Sequence, residues 1–249
     1  MKNDIPLAKA LETTKNMIEI QNLKKIYNGV TVVDIPQLSI RKGETVGLVG
    51  NNGAGKTTLF RMMLDLIRCD SGEVLSKESN VAQSDSWKNY TGAYLDEGFL
   101  IDYLTPEEYF HFVGSLHDLS KAQVDSELLK FTDFFNGEIL NRGKYIRDLS
   151  KGNQSKVGVV SCLIQNPEML MLDEPFANID PSTQIRLKNM VRDINREKHI
   201  ATIISSHDLN HVTDVCQRIL LMEKGKIIQD METNQNTLEE LEEYFSVLQ

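Results

Sequence analysis

The chain has 249 residues, of which 41% are hydrophobic and 25% are charged, so it is neither intrinsically disordered nor, with three cysteines, a disulfide-dense scaffold. It contains no run of about 18 apolar residues that would predict a transmembrane helix, and residues 1–16 read as a polar N-terminal extension without the apolar core of a secretory signal. The formal net charge of −9 argues against nucleic acid as a main partner, and we expect a cytoplasmic α/β protein.

The first third of the chain alternates short strands with one helix. An alternating pattern over 17–20 and short apolar runs at 30–33 and 38–40 predict a small antiparallel sheet. Residues 45–49 carry no polar alternation, which is typical of a strand buried inside a parallel sheet. A glycine-rich turn follows, and then a predicted helix with an apolar face formed by Leu59, Met62, Met63 and Leu66.

The middle of the chain is predicted to be mostly helical. Thr105-Pro106-Glu107-Glu108 offers an N-cap, a proline at the first helical position and a capping-box glutamate. A second helix should begin near Ser150 and stop before Pro167. Because this stretch is too long for a simple crossover, we interpret about 87–166 as a helical insert, packed by Trp87 and other aromatic residues.

Two further buried strands are predicted at 169–172 and 200–204, and each is followed by a helix. A hairpin over 219–228 comes next, and a short acidic helix ends the chain. This alternation predicts an α/β fold with a mostly parallel core sheet beside a small antiparallel β subdomain. We therefore expect one domain at 17–230 and an acidic helical tail at 231–249.

Residues 50–57 read GNNGAGKT and match G-x-x-x-x-G-K-[ST] between a predicted strand and a predicted helix. Glycines let the backbone wrap a phosphate, and the helix N-terminus supplies partial positive charge. Lys56 would bind the β- and γ-phosphates, and the Thr57 hydroxyl would bind Mg²⁺. The predicted cofactors are ATP and Mg²⁺, and the predicted nucleotide ligands are Asn51, Asn52, Gly53, Ala54, Gly55, Lys56, Thr57 and Thr58.

Polar residues end the two later strands. Asp173 and Glu174 follow an apolar run, and His207 follows another. Ligands collect beyond the carboxyl ends of parallel strands, so we expect these side chains at the same edge as the phosphate turn. Asp173 would hold Mg²⁺, Glu174 would act as the general base on water, and His207 would sense the γ-phosphate. Glu168 is expected to be a surface residue.

Residues 149–154 read LSKGNQ at a predicted helix start. The segment resembles LSGGQ, the signature of ATP-binding cassette (ABC) ATPases, and the resemblance extends from about residue 17 to residue 228. The order of motifs is also similar, with Asn178-Ile179-Asp180 at the D-loop position and His207 at the switch position. The resemblance implies a P-loop NTPase fold and a head-to-tail homodimer that sandwiches two ATP molecules.

The resemblance also implies roles for single residues. Ser150 and Gly152 of one subunit would face the γ-phosphate bound by the other, Asp180 would belong to the D-loop, and Tyr27 would stack on adenine. Three departures from the family pattern stand out. Asp96 replaces the Q-loop glutamine as a metal ligand, with Glu97 as the alternative; the signature carries Lys151 and Asn153; and the D-loop carries Asn178-Ile179.

The implied function is that of an exporter-type ATPase subunit, which hydrolyses ATP and works with a separately encoded transmembrane permease. Such a subunit would lie peripherally on the cytoplasmic face of the cell membrane. The alternative is a soluble, non-transport ABC ATPase that serves cofactor assembly or acts as a regulatory nucleotide switch. The sequence does not indicate the substrate.

Overall fold

A computed structural model describes residues 16–95 and 97–247 of the chain. The predicted N-terminal extension, apart from Asn16, therefore lies outside the described residues, and so does Asp96. Within the described ranges, no helix combines the length and the apolar character needed to cross a membrane.

The elements alternate between strands and helices along the chain. The first are β1 (Asn16–Tyr27), β2 (Val30–Arg41), β3 (Thr45–Val49), α1 (Lys56–Met63), β4 (Ser71–Ser76), β5 (Ser79–Asn80) and β6 (Thr91–Tyr94). A helical region follows with α2 (Pro106–Ser115), α3 (Lys121–Leu128), α4 (Thr132–Phe135) and α5 (Lys151–Ser161). The last are β7 (Met169–Asp173), α6 (Pro181–Lys198), β8 (Ala201–Ser206), α7 (Leu209–Val215), β9 (Arg218–Glu223), β10 (Lys226–Glu232) and α8 (Thr237–Val247).

The strands form two sheets. An antiparallel sheet has the order β2-β1-β4-β5, and a six-stranded sheet has the order β10-β9-β3-β8-β7-β6. In the larger sheet β9, β3, β8, β7 and β6 are parallel, and β10 pairs with β9 in the antiparallel direction. This confirms the predicted fold class. It also brings the carboxyl ends of β3, β7 and β8 to one edge of the sheet, where ligands of open α/β sheets collect.

The antiparallel sheet differs from the prediction in one strand. The two short strands expected at 30–33 and 38–40 are parts of β2, which stays paired with β1 through Leu23 and Ile35. Pro36 does not interrupt the strand, because β2 lies at the edge of its sheet, where a missing N–H is tolerated. Ile35 is buried, so its packing keeps the segment extended.

The helical region begins later than predicted. β6 lies inside the expected 87–166 insert, but it pairs with β7 in the parallel sheet. A Cβ at Gly92 would lie 2.3 Å from the carbonyl oxygen of Cys162, so only glycine allows this close approach of β6 to α5. Trp87 packs with the core shared by β1, β2 and α1 rather than with the insert. The short, mixed sequence of β6 carries no periodic signal, which explains the error.

One smaller prediction was wrong in detail. α1 ends at Met63, and Leu66, which was expected on its apolar face, is exposed. The cause is Asp65, whose φ of 49° ends the helical path. Glu168 is a partly exposed residue at the surface, as expected, and it forms ion pairs with Lys77 at 2.6 Å and Lys42 at 3.7 Å. The hydrogen bond from Lys77 lowers the pKa of Glu168.

Candidate active site

The phosphate turn connects β3 to α1 and packs closely against β9 and β2. All five residues of β3 are buried. A Cβ at Gly50 would lie 2.3 Å from the Met222 carbonyl oxygen, and one at Gly55 would lie 2.7 Å from the Val32 carbonyl oxygen. Gly55 also has a φ of 110°, which favours glycine. The glycines of the motif therefore let the turn lie against β9 and β2, while Asn51, Asn52 and Gly53 remain exposed.

Lys56 opens α1 and is buried, with only 6% of its surface exposed. Its Nζ donates a hydrogen bond to the Gly50 carbonyl oxygen at 2.7 Å and lies 3.4 Å from Glu174 Oε1. The ammonium group is thus held over the turn by these oxygen partners, whose place an anionic phosphate could take. Thr57 and Thr58, half-buried, follow in the first turn of the helix.

Asp173 ends β7 and is buried with both carboxylate oxygens occupied. Thr57 Oγ1 donates to Asp173 Oδ2 at 2.6 Å, and the Ser205 hydroxyl donates to Asp173 Oδ1. Burial raises the pKa of Asp173, and these two hydrogen bonds act in the opposite direction. A hydroxyl and a carboxylate oxygen in contact form the start of the all-oxygen ligand set that Mg²⁺ prefers, so the predicted ligands Thr57 and Asp173 fit this ion.

The Glu174 carboxylate lies between the Lys56 ammonium group and the His207 ring. Its Oε1 faces Lys56, and its Oε2 lies 2.9 Å from His207 Nδ1. The backbone of Glu174 has a φ of 49°, a left-handed conformation that is uncommon for a residue with a side chain. The structure therefore brings together the three residues that the sequence predicted to be catalytic, Lys56, Glu174 and His207.

The signature and D-loop residues form a second cluster in the same chain. Ser150 caps α5 by accepting a hydrogen bond from the Asn153 N–H at 3.3 Å. A Cβ at Gly152 would lie 2.8 Å from the Asn178 carbonyl oxygen, so the signature glycine packs directly on the D-loop. Asp180 caps α6 by accepting from the Thr183 N–H at 3.0 Å. Hydrogen bonds from Ser182 and Thr183 hold the pKa of Asp180 well below its ordinary value.

The hydrogen bonds described for Ser150 and Asp180 stay within the caps of α5 and α6 and do not reach the phosphate turn of the same chain. Ser150 opens onto a cleft that is also lined by Asp102, Arg147 and Lys151. The described contacts of the turn are instead made with β2, β9 and the ends of β7 and β8. The nucleotide ligands predicted from the sequence thus fall into two groups, with Ser150, Gly152 and Asp180 in the second.

Tyr27, the predicted adenine-stacking residue, ends β1 and is 45% exposed. Lys25 Nζ lies 5.2 Å from the centre of its ring. Asp96, the predicted third metal ligand, lies outside the described residues. Ser205 is a residue of this site to which the sequence analysis assigned no role. The signal was a hydroxyl residue directly after the apolar run at 200–204 and two positions before His207.

Comparison with known proteins supports the family resemblance seen in the sequence. A family model described as "ABC transporter" matches residues 33–177. Among similar proteins, the ABC transporter ATP-binding protein YhcH of Bacillus subtilis is 29% identical over 93% of this chain and 75% of its own length. YhaQ, an ABC transporter ATP-binding protein of the same organism, is 32% identical over 84% of this chain and 69% of its own length.

The fold is also shared with solved structures. The dimeric structure of the ATP-binding cassette MJ0796 in a post-hydrolysis state, bound to ADP and Pi, superposes with a TM-score of 0.79. The alignment covers 88% of this chain and 99% of that one, at 21% identity, which shows the fold alone. From the family match and the two relatives, the chain belongs to the ABC transporter family, as an ATP-binding cassette.

Proposed function

We propose that the chain is the ATP-hydrolysing subunit of an ABC transporter and that Glu174 is its general base. One observation carries the proposal. The Glu174 carboxylate lies between Lys56 and His207, next to the Thr57–Asp173 pair. A carboxylate held at this point can take a proton from water beside a phosphate bound by the turn.

Each residue of the site would have a separate role in ATP binding or hydrolysis. The N–H groups of the turn and Lys56 bind the phosphates, and Lys56 then exchanges the Gly50 oxygen for a phosphate oxygen. Thr57 and Asp173 would hold Mg²⁺, which would supply charge neutralisation on the β- and γ-phosphates. Water attacks the γ-phosphorus, its proton passes to Glu174, and the bond to the ADP oxygen breaks. His207 keeps the Glu174 carboxylate oriented through its ring nitrogen.

We further propose a head-to-tail homodimer with two ATP molecules at its interface. The separation of Ser150, Gly152 and Asp180 from the phosphate turn supports it, because those residues can complete a site only on another copy. Ser150 also stands at the N-terminus of an eleven-residue helix, where an anion is favourably placed. MJ0796, which shares the fold, forms a dimer.

The transport role adds a separately encoded permease and a peripheral position on the cytoplasmic face of the membrane. Membership of the ABC transporter family supports this role over the non-transport alternative. The exporter direction and the replacement of the Q-loop glutamine by Asp96 stay predictions. Purification of the full-length chain from native membranes in mild detergent tests the partner: a multi-span protein should co-purify, and recovery in the soluble fraction alone would contradict the role.

The catalytic proposal is tested with Glu174→Gln. Removing the general base should lower ATP turnover by about 10²- to 10⁴-fold while ATP binding persists. The variant should also form an ATP-dependent dimer, measured by size-exclusion chromatography with light scattering. The control is Glu168→Gln. Glu168 precedes the first residue of β7, whereas Glu174 follows the last, so this variant removes an acidic charge far from the site and should hydrolyse ATP at nearly the normal rate. Normal turnover by Glu174→Gln would show that the base is another residue.

A further inference from the structure

Ser205 connects the two acidic residues of the active site. It lies in β8, directly beside Asp173 in the register of the parallel strands β7 and β8. Its side chain is fully buried, so water does not compete for its hydroxyl. The hydroxyl donates its proton to Asp173 Oδ1 and accepts a hydrogen bond from the Glu174 backbone N–H at 2.9 Å.

These two bonds form one directional chain, from the Glu174 N–H through the Ser205 hydroxyl to the Asp173 carboxylate. Hydrogen bonds in series polarise one another in a buried site, and a bond that ends on a carboxylate is stronger than a neutral one. The other carboxylate oxygen of Asp173 accepts from Thr57 Oγ1. Both oxygens of Asp173 are therefore oriented, one by α1 and one by β8.

The same hydroxyl acts on the backbone of Glu174. That residue has a φ of 49°, which costs energy for a residue with a side chain unless its surroundings impose it. The Glu174 N–H is bound by both the Ser205 hydroxyl and the Ser205 carbonyl oxygen, the latter at 3.2 Å. This turn directs the Glu174 side chain to Lys56 and His207. Removing the hydroxyl leaves one of the two acceptors.

We propose that Ser205 is a positioning residue for ATP hydrolysis, because one buried hydroxyl sets the orientation of Asp173 and the backbone turn of Glu174 together. The inference rests on the function proposed above. It differs from a purely structural role, in which a buried hydroxyl would contribute to folding stability alone. Ser205 itself does not contact the reacting atoms and acts through its two neighbours.

The test is Ser205→Ala, with Thr202→Val as the matched control. Thr202 is a second buried hydroxyl on β8, but it donates to the Ile200 carbonyl oxygen and lies beside Leu170 rather than Asp173. Loss of a residue that orients a metal ligand commonly costs about 10- to 100-fold in activity or metal affinity. Ser205→Ala should therefore lower kcat by about 10-fold or more, with the KM for ATP changed by less than about threefold.

A second measurement does not depend on turnover. The affinity for Mn²⁺ in the presence of ADP, measured by electron paramagnetic resonance, should weaken about 10-fold in Ser205→Ala and stay unchanged in Thr202→Val. A lower melting temperature with unchanged kcat and Mn²⁺ affinity would overturn the proposal, because only a structural role predicts it. If Ser205→Ala does not fold, Ser205→Cys, a weaker donor of similar size, enters both measurements and should show a loss in each.

The two proposals fail in different ways. If the wild-type protein does not hydrolyse ATP, the proposed function is wrong, while the Mn²⁺ measurement still decides whether Ser205 orients Asp173. If the wild-type protein is active and Ser205→Ala matches it in kcat and Mn²⁺ affinity, the inference about Ser205 is wrong and the proposed function stands.

Discussion

Lys56 and Lys156 both appear among the buried residues of the described chain, and each faces a carboxylate that solvent can reach. A buried ammonium is costly unless it is paired and hydrogen-bonded. Lys56 pairs with Glu174 at 3.4 Å, a loose contact that a phosphate can displace. Lys156, in the helix that carries the signature, pairs with Glu138 at 2.8 Å. The first pair is suited to exchange of partners, and the second to holding α5 against the loop after α4.

Glu138→Gln should therefore lower the free energy of unfolding at pH 7. The hydrogen bond from Lys156 is the main cause that lowers the pKa of Glu138. Because Glu138 is 46% exposed, we discount the cost of breaking a buried pair to about 1–2 kcal/mol. Urea denaturation measures it. Glu127→Gln, which removes a surface i,i+3 partner of Lys130, should cost only about 0.3 kcal/mol, and an equal loss in both variants would contradict the assignment.

The pH dependence of this pair follows from the sign of the shift. A carboxyl group whose pKa is lowered in the folded state stabilises the protein above its ordinary pKa of about 4.5, and loses that contribution as the pH falls through the folded pKa. The stability difference between the wild type and Glu138→Gln should thus be full at pH 6–7 and shrink below about pH 4.5. A difference that grows on acidification would exclude the ion pair as its cause.

Three helices, α2, α5 and α6, begin at capping residues that the sequence displays. Thr105 and Glu108 form a reciprocal capping box at α2, as predicted, and Ser150 and Asp180 cap α5 and α6. Such caps work through local geometry, since the side chain accepts from an N–H two or three residues later. Ser150 combines this local role with its proposed role across the dimer interface. Comparing the loss of the Ser150 cap with the loss of the Thr105 cap separates the two roles.

Ser150→Ala and Thr105→Ala should each lower the stability by about 1 kcal/mol, because both remove a cap from one helix. Only Ser150→Ala should also reduce ATP turnover and ATP-dependent dimer formation, if the signature faces the nucleotide of a second copy. Thermal denaturation and steady-state ATPase assays on the same preparations separate the effects. Equal activity of the two variants would show that Ser150 acts as a helix cap and nothing more.

One contact between the two sheets lies at the edge opposite the active site. Arg218, at the start of β9, donates to the Ser39 carbonyl oxygen of β2 at 2.9 Å. It also binds Asp230 of β10 through two hydrogen bonds of 2.6 Å and Glu44 at 3.2 Å. The hydrogen bond with Asp230 raises the pKa of Arg218, which stays charged. One planar guanidinium thus binds two carboxylates and the neighbouring sheet.

Arg218→Met should destabilise the whole domain by about 2–3 kcal/mol, because two carboxylates lose a partly buried cation. For a chain of this size the melting temperature should fall by roughly 4–12 °C. Arg218→Lys should restore little, since an ammonium cannot reproduce the two-pronged bond to Asp230. Arg192→Met, which removes a more exposed contact to Asp214, is the control, and a similar fall there would contradict the role of Arg218.

The sequence predicted the parts of the molecule whose signals are local. The phosphate turn, the helix caps and the hairpin of β9 and β10 depend on a few consecutive residues, and the structure contains all three. β6 was missed because its place in the sheet depends on pairing with β7 and on the close approach of the Cys162 backbone to Gly92. The extent of β2 was underestimated because its continuity depends on β1 and on burial of Ile35.

For the active site the same division holds. Motif spacing alone predicts Lys56, Asp173, Glu174 and His207 as site residues, because the chemistry of phosphate and metal favours these residue types in a phosphate turn and at strand ends. The contact between Ser205 and Asp173 joins residues 32 positions apart, and that between Thr57 and Asp173 joins residues 116 positions apart. Such contacts depend on the order and register of β3, β7 and β8, which only the hydrogen bonds between distant strands establish.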